Sequence, residues 1–190
     1  MDTERNAEFL EILKKTLTPQ RLYHSVCVAE MAQRLAERYG ADKKKAYTAG
    51  LIHDIMKCRS PEKMLEVIEA DGQKLTESEK KITVTLHAIA GEAYLRNNLD
   101  VRDKEILSAV RWHTTGKENM SLFEKIIYIA DLVSEDREYP DAPQVRDMAF
   151  CDLDKTCLRG LSFTIEENVA KGRLIHTDTV KAYNYLINNP

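Results

Sequence analysis

The sequence lacks the features that mark membrane, secreted and low-complexity proteins. Its uncharged apolar runs are short, such as the one from Ile126 to Ala130, so no segment is long enough to span a bilayer. Residues Met1 to Arg5 carry no signal-peptide pattern, and we therefore expect a cytoplasmic protein. Glycine (7) and proline (5) are scarce, and no internal repeat, low-complexity tract or interdomain linker interrupts the 190 residues. We expect residues 1–190 to form one domain.

Cysteine spacing and net charge exclude further classes of protein. No CxxC pair occurs, and without a secretion signal we expect reduced thiols that mostly fill the core: Cys27, Cys58, Cys151 and Cys157. A zinc site made of all four thiolates is the alternative. The net charge of −3 argues against a nucleic-acid-binding surface, and the run Lys43-Lys44-Lys45 is typical of a solvated helix face. A homodimer is expected only because it is the commonest oligomer.

Helical periodicity and helix-ending signals dominate the chain. Apolar and small residues recur at helical spacing, and no segment shows the alternation and turns of a hairpin. We predict helices over residues 3–17, 21–39, 103–112, 144–171 and 178–188, a further one that follows the capping box at Thr76 and carries His87, and others that begin near Asp42, Ser60 and Ser121. Glycines at positions 40, 72, 116 and 172 are expected to end helices or turn the chain. The pattern predicts an all-α fold.

The stretch from Ala49 to Lys57 contains an adjacent histidine and aspartate, His53-Asp54. The pair offers one imidazole nitrogen and one carboxylate able to bridge two ions, a mixture that suits Fe, Mn or Zn better than Ca or Mg. On a helix the two side chains diverge by about 100°, so both can reach positions around one ion. Lys57 would return to the face of His53 one turn later, although a surface lysine is equally common there.

The other histidines and one aspartate recur where they could meet this pair. His24, His87 and His113 fall on the apolar or small-residue side of a predicted helix or at its end. For any one of them, an ordinary core or capping histidine is the simpler interpretation. Asp131 follows an apolar run, where a carboxylate is costly to bury unless a cation meets it. His176 is explained as well by a loop on the exterior.

Short blocks occur in a fixed order along nearly the whole chain. They are Arg21-Leu22-Tyr23-His24-Ser25-Val26, His53-Asp54-Ile55-Met56-Lys57, His87-Ala88, Arg111-Trp112-His113-Thr114-Thr115-Gly116, Ile129-Ala130-Asp131-Leu132 with Arg137, and Ile175-His176-Thr177-Asp178-Thr179. In this order they resemble the HD-domain metal-dependent phosphohydrolase superfamily, and within it the YqeK family of symmetrical diadenosine-tetraphosphate hydrolases. The resemblance implies a compact multi-helix bundle with a metal site between helices.

The resemblance also implies roles for individual residues. One metal ion would be held by His24, His53, Asp54 and Asp131, and a second, if present, by His87 and His113. Iron is the expected metal, with Mn or Zn as alternatives. Asp54, Lys57, His87 and His113 would carry the catalysis. The nucleotide would contact a larger set: Arg21, His87, His113, Thr114, Asp131, Arg137, Leu174, Ile175, His176, Thr177, Asp178 and Thr179.

Three functions compete. The first is hydrolysis of dinucleoside polyphosphates, with diadenosine tetraphosphate as substrate and ADP as product, for which Arg21, Lys57 and Arg137 would neutralise phosphate charge. The second keeps the metal site but acts on a nucleoside monophosphate or a cyclic nucleotide; the GYP-type block of cyclic-dinucleotide enzymes is absent. The third is a nucleotide-binding sensor with little turnover. No nucleic-acid or membrane partner is expected.

Overall fold

The chain folds as the capping signals predict, into short helices joined by tight turns. The computed structural model describes residues 3–189, which form eleven α-helices and one short 3-10 helix and contain no β-strand. The helices are α1 (Thr3–Thr16), α2 (Pro19–Tyr39), α3 (Lys43–Ile52), α4 (Pro61–Ala70), α5 (Glu77–Lys81), α6 (Leu86–Asn98), α7 (Lys104–Trp112), α8 (Leu122–Val133), α9 (Ala142–Cys151), α10 (Leu153–Ala170) and α11 (Thr177–Asn188), with the 3-10 turn at Thr83–Thr85.

Side-chain caps account for most helix starts. Thr18 and Ser60 each accept a hydrogen bond from a backbone N–H of the first turn of their helix, with proline at the first helical position. Thr76 and Ser121 form the predicted capping boxes, each with a glutamate three residues later. Gly40 ends α2 with φ +73°, a left-handed conformation that a side chain would strain. These boundaries are confirmed.

Two predicted helices are each split by the structure. The segment before His87 was expected to be continuous, but α5 ends at Lys81 and Ile82 takes a non-helical conformation (φ −87°, ψ 66°). Residues 82–85 are all β-branched, which disfavours helix because their χ1 angles are restricted. The predicted helix over 144–171 breaks at Asp152, which is extended (φ −148°, ψ 101°). Its carboxylate caps α10 by accepting from the backbone N–H of Lys155 at 3.0 Å.

Helix α3 lies at the centre of the fold. It packs against α1, α2, α7 and α8, and six of its ten residues are buried. Its closest approach is at Gly50, where a Cβ would lie 2.8 Å from the Cα of Ala29 on α2. The absence of a side chain lets the two backbones touch, as the small residues on this face predict. The C-terminal end of α3 therefore meets α2, α7 and α8 inside the core.

The His53-Asp54 pair lies just past the end of α3 rather than within a helix. The chain continues through residues 53–58 in tight turns closed by hydrogen bonds from Ile55 N to Ile52 O (3.1 Å) and from Lys57 N to Asp54 O (2.8 Å). The pair therefore lies in turns and not within the helix as assumed, although His53 keeps helical dihedral angles (φ −55°, ψ −38°). Successive 3-10-type turns place side chains about 120° apart, and both His53 and Asp54 remain buried.

The cysteine expectation is half correct. Cys27 and Cys157 are buried, whereas Cys58 and Cys151 are exposed, and all four are free thiols. Burial raises the pKa of the Cys157 thiol well above its usual range, as expected for a core thiol. No helix in residues 3–189 combines the length and the apolarity needed to cross a bilayer.

Candidate metal centre

Six of the predicted side chains meet where five helices converge. His24 lies on α2, His87 on α6 and Asp131 on α8, while His53 and His113 are the first residues after α3 and α7. Asp54 follows His53 into the same cleft. The four histidines and Asp54 are all at most 3% exposed. Ring centroids lie 5.5 Å apart for His24 and His53 and 4.9 Å for His53 and His113. The structure thus brings the whole predicted ligand set together.

Asp54 lies between two groups of imidazoles. Its Oδ1 is 3.1 Å from Nε2 of His87 and 3.5 Å from Nε2 of His113. Its Oδ2 is 3.5 Å from Nε2 of His53 and 3.2 Å from Nη1 of Arg21. Each oxygen of one carboxylate faces a different pair of groups, which is the arrangement a bridging ligand requires.

Asp131 forms the other end of the cluster. Its Oδ1 lies 2.9 Å from Nε2 of His24 and 3.9 Å from Nε2 of His53. Arg137 donates from Nη2 to the same oxygen at 2.5 Å and from Nε to the Asp131 backbone carbonyl at 2.8 Å. His53 is therefore shared between the Asp54 and Asp131 ends, which leaves room for one ion or for two.

Backbone carbonyls fix the orientation of two of the rings. Nδ1 of His53 lies 2.6 Å from the carbonyl of Gly50, and Nδ1 of His113 lies 2.7 Å from the carbonyl of Val110. A carbonyl only accepts, so each ring carries its proton on Nδ1 and turns the lone pair of Nε2 into the cluster. A metal ligand needs that tautomer.

The cluster contains buried metal-ligating atoms that lack a hydrogen-bond partner anywhere in residues 3–189. Nε2 of His53 and Oδ1 of Asp54 are buried and have no hydrogen-bond partner within the described part of the chain. Nε2 of His87 and Nε2 of His113 approach to 3.1 Å, close enough for both to reach one ion. Bonds of 2.0–2.2 Å to a shared ion would put neighbouring donors about 3.0–3.4 Å apart, and the distances here run from 2.9 to 3.9 Å. The donor set therefore fits a divalent metal.

The protonation states also suit a metal. Burial raises the pKa of Asp54, but the imidazoles of His53 and His113 outweigh it and hold that pKa well below its usual range. Burial also raises the pKa of Asp131, but His24 and Arg137 outweigh it and hold that pKa well below its usual range. Burial lowers the pKa of His53, but the neighbouring carboxylates outweigh it and raise the pKa overall. The negative field that retains a proton there also attracts a cation.

Three cations stand at the rim of the cluster. Arg21, Lys57 and Arg137 have side chains 38%, 29% and 34% exposed, so each contacts both the cluster and solvent. Nζ of Lys57 lies 3.1 Å from Nε2 of His87, and the hydroxyl of Thr114 lies 3.3 Å from the same nitrogen. This rim can bind an anion next to the candidate metal position.

The predicted nucleotide segment from Leu174 to Thr179 leads into α11. His176 is buried, so the alternative of an exterior loop histidine is wrong. Its Nδ1 accepts from the backbone N–H of Asp178 at 3.2 Å and so caps α11, while Nε2 lies 3.7 Å from Oε1 of Glu79. Because Nδ1 accepts, the proton is on Nε2, which has no hydrogen-bond partner among the described residues. Leu174 is 52% exposed.

Sequence reasoning missed three groups that hold the cluster in place: the carbonyls of Gly50 and Val110 and the carboxylate of Asp136. Asp136 Oδ2 lies 2.7 Å from Nδ1 of His24. The carbonyl acceptors follow from a simple signal, since each lies three residues before its histidine at a helix end. For Asp136 no local pattern gives the contact, because 112 residues separate it from His24.

Comparisons with known proteins identify a family whose members fit a metal centre of this kind. The family model for the HD domain matches residues 21–136. Two relatives named symmetrical bis(5'-nucleosyl)-tetraphosphatase, from Halalkalibacterium halodurans and Bacillus subtilis, are 37% and 35% identical and align over 94–95% of this chain and 95–96% of their own length.

A solved structure is similar over almost the whole chain. The crystal structure of a protein from Clostridium acetobutylicum, described as a predicted HD superfamily hydrolase involved in NAD metabolism, superposes with a TM-score of 0.95 at 36% identity, and the match covers 97% of each chain. The fold, the match to the HD domain and the full-length relatives agree. This chain belongs to the HD domain family of hydrolases and, within it, to the family of the symmetrical bis(5'-nucleosyl)-tetraphosphatases.

Proposed function

We propose that this protein is a metal-dependent hydrolase that cuts diadenosine tetraphosphate into two molecules of ADP. The observation that carries the proposal is the set of buried, unpartnered donor atoms that face one another among residues 3–189, in a chain whose full-length relatives are named for symmetrical cleavage. Phosphoanhydrides resist attack because their oxygens are negatively charged, so catalysis requires charge neutralisation and a positioned water.

We propose that His24, His53, Asp54 and Asp131 hold one ion, and that His87 and His113 join Asp54 around a second. The donors are imidazole and carboxylate without thiolate, which Fe, Mn and Zn all accept; iron is our first choice. When bound, a divalent ion polarises a phosphoryl oxygen and lowers the pKa of a coordinated water.

The rim cations are proposed to bind the phosphates. Arg21, Lys57 and Arg137 would each make a charge-assisted hydrogen bond to the polyphosphate. Three nearby carboxylates balance their charge: Asp54, Asp131 and Asp136. A bound divalent ion would leave the cleft positive overall, which favours an anionic substrate over a neutral one.

His87 and Lys57 are proposed to act on protons and charge at the reacting phosphate. Burial lowers the pKa of His87 to about 4, so its imidazole is neutral at pH 7. Its lone pair can bind the second ion or, where only one ion binds, accept a proton from the attacking water. The Lys57 ammonium, 3.1 Å from Nε2 of His87, is placed to stabilise a charged phosphoryl oxygen. Thr114 would orient the same group through its hydroxyl.

The symmetric outcome follows from a positional argument. Arg21, Arg137 and the segment from Leu174 to Thr179 are proposed to grip one nucleoside diphosphate, with its second phosphorus next to the metal. Water then attacks that phosphorus, and the leaving group is the other nucleoside diphosphate. Either end of a symmetric substrate gives the same products. A substrate with a two-phosphate bridge, such as NAD, should be cut poorly.

Metal analysis followed by a nucleotide panel tests the proposal. Purified protein should contain a transition metal, lose activity with a chelator and regain it with Fe or Mn. The panel should contain diadenosine tetraphosphate, a nucleoside monophosphate, a cyclic nucleotide and NAD. Preference for a monophosphate or cyclic nucleotide would favour the other HD-type activity, and tight binding without turnover would favour a sensor. Either result would refute the proposed substrate.

A further inference from the structure

The four clustered histidines differ in what holds the ring. His53 and His113 each donate from Nδ1 to a backbone carbonyl three residues earlier. The Nδ1 of His87 faces the Lys57 ammonium at 3.5 Å, which can only donate. His24 alone has a carboxylate against its Nδ1, Oδ2 of Asp136 at 2.7 Å. His24 is thus the one ring of the four whose Nδ1 faces a carboxylate.

Asp136 contacts His24 from an anchored loop. It lies in the loop between α8 and α9, with a side chain 18% exposed. Arg137, the next residue, anchors the loop by bonding to Asp131 through its side chain and to the Ser134 carbonyl through its backbone N–H at 3.0 Å. The contact between Asp136 and His24 therefore ties this loop to α2 directly behind the metal position.

We propose that Asp136 is a positioning residue for the metal centre, which keeps the proton of His24 on Nδ1 and the lone pair of Nε2 directed at the ion. The inference rests on the proposed metal site. Carboxylates that hydrogen-bond a ligating imidazole fix its tautomer and make its free nitrogen a stronger donor. A backbone carbonyl, as behind His53 and His113, fixes the tautomer without adding a charge.

The alternative tautomer explains what Asp136 prevents. Nε2 of His24 lies 2.9 Å from Oδ1 of Asp131, so a ring protonated on Nε2 would donate to that carboxylate. Such a hydrogen bond would pair His24 with Asp131 and withdraw both from the metal. By holding the proton on the opposite nitrogen, Asp136 keeps both His24 and Asp131 available to a cation.

The test measures metal affinity in the full chain, with Asp136→Asn as the nearly isosteric variant. Glu138→Gln is the matched control, because it makes the same change of charge two residues away at an exposed position. Metal-free proteins are titrated with Zn²⁺ or Mn²⁺ in competition with a chromophoric chelator, at a temperature where thermal unfolding shows all of them folded. Asp136→Asn should bind roughly tenfold to a hundredfold more weakly, and Glu138→Gln within about twofold of wild type.

A second measurement needs no variant and is independent of folding defects. In Zn²⁺-loaded wild type, ¹⁵N-¹H NMR of labelled histidine should assign the His24 proton to Nδ1. A proton on Nε2, or wild-type metal affinity in Asp136→Asn, would overturn the proposal. So would a variant with a lower melting temperature but unchanged affinity, because that pattern describes a purely structural residue. If wild type and Glu138→Gln bind no metal at all, the proposed function fails with it.

Discussion

Replacing Gly50 with alanine should weaken metal binding from a position that does not touch the metal site. A Cβ at residue 50 would lie 2.8 Å from the Cα of Ala29 and 2.9 Å from the carbonyl oxygen of Val28. Ordinary contact begins near 3.4 Å, and both obstacles are backbone atoms that cannot rotate away. Helices α2 and α3 must therefore separate by about 0.6 Å, the difference between 3.4 Å and the 2.8 Å contact with the Cα of Ala29.

The expected magnitude combines two opposing effects. Overpacking against backbone costs about 2–3 kcal/mol, and the better helix propensity of alanine offsets about 1 kcal/mol of it. The net loss of about 1–2 kcal/mol corresponds to a fall in melting temperature of about 2–8 °C for a chain of this size. Because α2 carries His24 and α3 positions His53 through the Gly50 carbonyl, metal affinity should fall about tenfold or more.

Gly91→Ala provides the matched control for this prediction. Gly91 is also buried within a helix, but a Cβ there would meet its nearest neighbour, Cγ1 of Val110, at 3.4 Å. The substitution should therefore be neutral or should raise the melting temperature by about 2–4 °C. Thermal unfolding and chelator competition on both variants make the comparison. A Gly50→Ala protein with unchanged stability and metal affinity would refute the reasoning from close helix contact.

Three further predictions follow from single side chains. Asp54→Asn should abolish hydrolysis and lower the bound metal while circular dichroism stays helical; full activity with unchanged metal would remove Asp54 from the site. Arg137→Ala should lower kcat/KM by roughly tenfold to a few hundredfold in steady-state kinetics. It should also lower the melting temperature, because the Asp131 carbonyl loses its hydrogen-bond donor. Normal kinetics with reduced stability would show that the residue is structural. Burial raises the pKa of Glu124, but Ser108, the Ser121 N–H and Lys117 outweigh it and lower the pKa below 4.5. Ionised Glu124 therefore stabilises the fold above pH 4.5, and this stabilisation is lost as the pH falls through the folded-state pKa. Glu124→Gln should lower the free energy of unfolding in urea by about 1–2 kcal/mol at pH 7 and by progressively less below pH 4.5. A difference that does not change with pH would contradict this prediction.

Much of the fold could be predicted from the sequence because its helix boundaries are local. Capping residues and turn glycines act within four or five positions, so Thr18, Ser60 and Gly40 mark real helix ends. The break at Ile82 was missed although four consecutive β-branched residues signal it. The break at Asp152 was missed because an aspartate that caps one helix has the same sequence neighbourhood as one on a helix surface.

The candidate site could likewise be predicted from the sequence only in part. The order of the histidine and aspartate blocks predicted which side chains converge, because a family pattern records tertiary proximity that spacing alone does not. From the sequence, Arg137 is predicted only to bind phosphate and the nucleotide. In the structure it is one-third exposed and holds Asp131. That contact and the one from Asp136 to His24 depend on the path of the loop after α8, which periodicity does not describe.

The position of cleavage tests the central claim most directly. Metal-loaded protein is given diadenosine tetraphosphate, and the products of an early time point are separated by chromatography. Attack at the second phosphorus from the gripped nucleoside predicts ADP as the sole product. AMP and ATP in equal amounts would place the attack at the first phosphorus and contradict the proposed arrangement of metal, arginines and nucleotide.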